Sequence, residues 1–156
     1  MKSLCSLGLV TGFFLSDLAL AQFPSWDAEQ TAVWEFVEQS WVDQAAESDR
    51  WPRDYVHPKF VGWGDSLPAP RGIDKSAEWF RYDYAANNVL FYEITPAAIV
   101  VEDNTAVVHY HATLVSEDLK ADRERSVLSL VEVLIREGGD WKYLSLSEFE
   151  PKPNSE

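Results

Sequence analysis

Between residues 27 and 45 the apolar positions Val33, Trp34, Val37, Trp41 and Ala45 fall three and four residues apart, which places them on one face of a helix. Ser25 or Asp27 can cap its start, and Pro52 limits its end. A short segment, residues 53–57, precedes Pro58. Phe60-Val61-Gly62-Trp63-Gly64 then reads as an extended piece, followed by a loop that carries Pro68 and Pro70. A second helix is predicted over residues 73–86, with Ile73, Ala77, Phe80 and Tyr84 on one side.

After residue 88 the period changes. Residues 89–101 and 105–115 are rich in β-branched and aromatic side chains, and Glu102-Asp103-Asn104 between them suits a hairpin turn. Residues 125–136 and 141–149 give two more strands, joined through Gly138-Gly139-Asp140. Helices followed by a run of strands predict an α+β domain, with N-terminal helices packed on one face of an antiparallel sheet. A long meander of this kind can curve and leave a hollow between sheet and helices.

The N-terminus adds an export signal. Lys2 is followed by an apolar run, residues 4–20, that ends in Ala19-Leu20-Ala21. These are a positive n-region, an apolar h-region and a small-x-small cleavage site. Ser16 and Asp17 interrupt the run, which is too short to span a bilayer comfortably. The expected organisation is a signal peptide over 1–21, one domain over 22–150 and a disordered tail over 151–156, with the mature protein periplasmic or secreted. Cys5, the only cysteine, lies inside the signal, so the mature chain has no disulfide, cysteine metal site or thiol nucleophile. A net charge of −13 argues against nucleic acid and against anionic membrane surfaces as partners. Seven Trp, six Tyr and eight Phe exceed the needs of a minimal core and suit a pocket for a small molecule.

Four stretches carry a family resemblance: His57-Pro58-Lys59-Phe60-Val61-Gly62-Trp63-Gly64, residues 92–96, Ala106-Val107-Val108-His109-Tyr110, and residues 133–143 with their Gly-Gly-Asp-Trp-Lys turn. In this order they resemble the nuclear-transport-factor-2-like superfamily, and within it the SnoaL-like proteins. The resemblance implies a cone of helices against a strongly bent antiparallel sheet, a pocket at the open end, and dimerisation through the outer face of the sheet. Many relatives carry a histidine on the last strand, six residues after the tryptophan matched by Trp141; here that position is Ser147. The fold hosts varied chemistries, so any activity must be argued from this chain's own polar residues.

Glu132 stands out, because it interrupts an otherwise apolar strand and alternates with Leu128, Leu130 and Leu134. Either it sits at the rim, paired with Arg123 or Arg125, or it enters the pocket with a raised pKa suited to proton transfer. His109 and His111 leave one face of their strand with Val107, Thr113 and Val115. They are read as a sheet surface or dimer interface, with His109 the alternative general base. A metal would need a third ligand, for which His57 and Glu132 have no spacing to recommend them, so neither metal nor cofactor is expected. Trp63, Tyr92, Tyr110, Tyr82 and Trp79 are candidate pocket aromatics, and the glycines flanking Trp63 are read as presenting its ring at a loop.

The sequence carries no phosphate loop, dinucleotide fingerprint, nucleophile elbow or zinc-protease helix. The leading expectation is an exported homodimeric protein that binds a small, largely apolar molecule, with Trp63, Tyr92, Tyr110, Tyr82 and Glu132 around it. The alternatives are a cofactor-independent isomerase, dehydratase or cyclase using Glu132 or His109, and an interaction module acting through its sheet face. Cleavage after Ala21 should give a mature chain beginning at Gln22; N-terminal sequencing of exported protein checks this, and a chain retaining Met1 would refute it.

Overall fold

A computed structural model of the protein describes residues 25–65 and 67–151. The expected export signal lies outside these residues, and of the expected tail only Pro151 is described. Helix α1 spans Ala28–Ala45. Asp27 caps it: its side chain accepts from the Gln30 backbone N–H at 2.8 Å, and the Gln30 side chain accepts from the Asp27 N–H at 3.0 Å. This reciprocal capping box satisfies two otherwise orphaned donors. The helix buries Val33, Trp34, Val37, Ser40, Trp41 and Asp43, the predicted face, except that Ala45 is exposed. Asp43 tolerates burial because Tyr55 donates to it and Arg50 lies 3.1 Å away.

The remaining elements are β1 (Val56–Gly64), β2 (Arg71–Gly72), α2 (Ile73–Ala86), β3 (Asn87–Glu102), β4 (Thr105–Asp118), β5 (Arg123–Glu137) and β6 (Asp140–Phe149). They form one sheet in the order β2-β1-β6-β5-β4-β3, an α+β cone with an open sheet. Strands β3 to β6 are joined by short turns and therefore pair antiparallel. Gly138 and Gly139 make the two-residue turn between β5 and β6, at φ of 64° and 99°, where a side chain would be strained. The wholly antiparallel sheet expected from sequence needs one correction: β1 pairs with β6 in parallel. No hairpin sets the direction of β1, because it arrives from α1. The two-residue β2 is too short to leave a pattern in the sequence.

Alternation decides which side chains face the helices. Ala106, Val108, Tyr110 and Ala112 of β4 and Leu130, Glu132 and Leu134 of β5 are buried on the concave face. Trp34 meets Tyr110 edge-on at 5.7 Å, and Phe36 packs on Tyr55 and Tyr143 at 5.4 and 5.1 Å. Each fully buried side chain such as Val37 or Leu134 contributes about 1.5–3 kcal/mol. Bulges break the register of β3 with β4 and of β5 with β6, and such irregularities bend a sheet. Among the described residues no helix is long and apolar enough to cross a membrane.

Candidate functional site

A cavity of about 270 Å³ opens between the concave face of the sheet and the two helices. Trp41, Trp51, Phe60, Phe80, Leu128 and Leu146 supply its apolar walls. Its deepest part is polar and fully buried, formed by Ser40, Tyr110, Glu132 and Tyr143. At the mouth stands Trp79, about half exposed, with Arg71, Asp83 and Glu148; Trp63 borders the opening from β1, but register with Ser147 sends its ring to the outer face.

The deep end is a chain of hydrogen bonds from helix to sheet. The Trp41 indole N–H donates to the Tyr110 hydroxyl at 2.9 Å, so that hydroxyl has its own proton to give, and it gives it to Glu132 Oε1 at 2.8 Å. On the other side Ser40 Oγ donates to the Val37 carbonyl at 2.7 Å and lies 2.6 Å from the Tyr143 hydroxyl. Ser40 has a single proton, so Tyr143 must be the donor in that second bond and keeps only acceptor capacity. Glu132 Oε2 is buried with no partner at ordinary geometry, and Tyr143 is its polar neighbour. A proton on Oε2 directed at Tyr143 completes the chain with every donor pointing one way.

Electrostatics agree with that proton. Glu132 is 3% exposed, and burial pushes its carboxyl up to about 8, against the smaller opposing effect of the Tyr110 and Tyr143 hydroxyls. Burial, then the nearby Glu132, hold both tyrosines well above their ordinary value. Near neutral pH the deep end is therefore a neutral acid among neutral phenols.

The mouth differs. Strict alternation from Trp141 and Tyr143 would send Ser145 and Ser147 inward. The register break between β5 and β6 shifts the phase, so Leu146 opposes Glu132 and Glu148 opposes Leu130. Glu148 thereby enters the cavity, and Ser147 faces outward and exposed. Gly64 makes room for it: a Cβ there would sit 2.9 Å from Glu148 Oε1. Burial, with the like charges of Asp65 and Asp83, holds Glu148 above its ordinary value.

No protein-family model and no curated protein matches the chain; solved structures do. A ketosteroid isomerase-like protein from Erwinia carotovora atroseptica superposes with a TM-score of 0.71 at 12% identity, covering 82% of this chain and 100% of that one. A nuclear transport factor 2 (NTF2-like) superfamily protein from Salmonella enterica gives 0.68 at 12% identity, over 81% and 93%. The association domain of C. elegans CaMKII gives 0.57 at 8% identity, over 78% and 95%. The chain has the nuclear-transport-factor-2-like fold. At these identities the likeness extends to the NTF2-like architecture alone, and the chemistry rests on the residues just described.

Within this NTF2-like cone the predicted residues part company. Glu132 and Tyr110 share the main cavity, as does Trp79, and Trp63 borders its opening. Tyr92 stacks on Trp41 at 5.6 Å and lines a separate cavity of about 70 Å³. Tyr82 is 65% exposed and packs on Trp79 outside the cavity, because it lies on the outer side of α2. His109 faces away: its cross-strand partner is Val131, one residue from Glu132, so it leaves the opposite face of the sheet, exposed to solvent. His111 shares that face, 3.1 Å from Ser129, whereas His57 is engaged by Glu137 at 3.3 Å. Among the described residues no three His, Cys, Asp or Glu side chains converge as a metal site would require. The rim pairing weighed for Glu132 does not form: Arg123 pairs with Glu117 at 2.8 Å, and Arg125 is exposed. Gly62-Trp63-Gly64 is part of β1 rather than a loop, and its glycines leave space on the concave face. Sequence reasoning missed Glu148, Asp83 and Arg71. Only the lone acid ending a serine and leucine strand hints at Glu148, and unbroken alternation from Tyr143 would point it outward.

The raised pKa of Glu132 makes a signed prediction. The folded chain binds this proton more tightly than the unfolded one, so the associated stability is full below the ordinary value of 4.5 and is lost as pH rises towards about 8. Glu132→Gln can accept from Tyr110 and donate to Tyr143 without a charge. In urea melts it should match wild type near pH 4 and exceed it by about 4–5 kcal/mol above pH 8. A variant less stable than wild type near neutral pH would mean that a charged carboxylate is held by a cation.

Proposed function

We propose that this chain is an exported binding protein that holds a small, largely apolar molecule in the cone. The observation that carries this is the cavity itself: about 270 Å³, aromatic at walls and mouth, and closed at depth by a carboxyl acid and two phenols. Ligand sites commonly combine apolar walls with a few fixed polar groups. The one-way hydrogen-bond chain orients Glu132 and Tyr110 before any ligand arrives, which lowers the ordering cost of binding. A neutral fluorescent probe, N-phenyl-1-naphthylamine, should bind one per chain. Trp41→Ala, which removes a wall and the first donor of the chain, should weaken binding about ten-fold or more. Fluorescence titration measures both, and a probe that never saturates would overturn the binding role.

An acid–base enzyme is the second reading, favoured by the Glu132 pKa near 8. Against it, Glu132 is 3% exposed and its Oε1 already accepts from Tyr110, an arrangement that suits a fixed polar wall better than proton exchange.

A second copy of the chain is the protein partner we propose. Phe91, Val100, Val127 and Phe149 are exposed, and cross-strand pairing places Phe91 and Val127 on the outer face of the sheet with His109 and His111. An apolar sheet face of this kind is ordinarily covered, and one of the similar structures is itself named an association domain. Light scattering should report twice the chain mass, and Val127→Lys should shift it to one.

A further inference from the structure

The two helices close the cone with unequal grips. Helix α1 drives Val33, Trp34, Val37 and Trp41 into the core, and a capping box secures its start. Helix α2 covers the cavity through Ser76, Trp79, Phe80 and Asp83, yet among its described side chains only Ser76 is buried. Ile73, Ala77 and Phe80 are partly buried, and Trp79 and Tyr82 are exposed. A helix this short draws most of its stability from a packed apolar face, and α2 has little of one.

Its two ends differ as well. At the far end α2 runs straight into β3, whose first residue, Asn87, already pairs with Asp118 of β4, and the Asn87 side-chain amide donates to Asp83 at 2.8 Å. At the near end the N-cap is Gly72, which has no side chain to accept from the first turn. The two-residue β2 ties that end to β1 through the pairs Val61 with Gly72 and Gly62 with Arg71 alone. Arg71 lies over the Trp79 ring at 5.4 Å, so β2 and α2 form one unit. Its seat on β1 is bare: a Cβ on Gly62 would lie 3.9 Å from Ser76 Oγ, so the helix rests where β1 has no side chain. Over the cavity, Phe80 meets Trp51 edge-on at 5.5 Å.

We infer that α2, together with β2, is a lid: it pivots at Asn87, its Gly72 end lifts from β1 to admit the ligand, and it closes as Phe80 and Trp79 pack on the bound molecule. This supplies the access route of the site proposed above and rests on that ligand-binding role. Local opening begins at the element with the least buried apolar surface, and lids are drawn from that end of the stability range. Helix α1 and the strands beneath it hold the buried core and cannot lift without exposing it. A ligand gives the inner side of α2 the apolar partners that the empty cavity lacks, so binding favours the closed position.

Hydrogen exchange read by mass spectrometry tests the motion in the unliganded protein. Amides of residues 77–86 in α2 should exchange at least about ten-fold faster than those of residues 33–42 in α1, and should slow when N-phenyl-1-naphthylamine is bound. A covalent latch tests access. Cys5 is the only cysteine, so in a Cys5→Ser background the pair Gly62→Cys and Ser76→Cys, close enough for a disulfide, makes a single cross-link between α2 and β1. Oxidation should slow stopped-flow association of the probe at least about ten-fold, and dithiothreitol should restore it. Exchange in α2 as slow as in α1 would overturn the lid. Equal association rates with and without the cross-link would also overturn it and leave the mouth as the entrance to an intact pocket. Should the double variant fail to fold, the exchange comparison on wild type decides alone. Wild type that never binds the probe would overturn the ligand-binding role and the lid together.

Discussion

The concave face of a strongly bent sheet has to be removed from water, and two helices cannot cover all of it. Helix α1 lies across the middle through Trp34, Val37 and Trp41, and α2 stands at the β1 edge. What they leave between them is the cavity. Its inner limit is set by one interaction, the Trp41 indole on the Tyr110 hydroxyl. That bond anchors the helix to the sheet and, by occupying an acceptor site on Tyr110, turns the tyrosine proton towards Glu132. Removing it would loosen the helix, the tyrosine and the acid together.

The same arrangement separates two carboxyls by environment. Glu132 lies where burial dominates and no cation is near, so it stays protonated through neutral pH. Glu148 lies closer to solvent among other acids, and its elevation owes part of its origin to their charge. A neutral acid at depth and a negative mouth give the cavity a polarity along its axis, with aromatic walls between. Under the ligand-binding role proposed above, orientation would follow from that gradient rather than from any single residue.

The outer face of the sheet is a separate surface with its own composition. His109 and His111 belong there, one strand alternation away from Tyr110 and Glu132. Neighbours in sequence thus serve opposite sides of the fold, because a strand of period two hands successive side chains to opposite faces.

Elements and faces were largely legible in the sequence, since they follow from local periodicity. The three-four spacing placed α1, the change to β-branched runs placed β3 to β6, and alternation put Glu132 with Leu130 and Leu134. The suspicion that Glu132 is special also came from sequence, because a carboxylate in an apolar strand is anomalous wherever the strand lies. Its protonation could not be read there, since that depends on Tyr110, Tyr143 and Ser40, which are brought in from another two strands and a helix. Glu148 was hidden for a sharper reason: a register break reverses the alternation after Tyr143, and such a break is set by pairing with β5 rather than by β6 itself. Sequence by itself determined which segments fold and, where alternation runs unbroken, which face each presents. Tertiary structure alone decided which polar groups meet across the cavity, because their partners lie far apart in the chain and their charges depend on how deeply packing buries them.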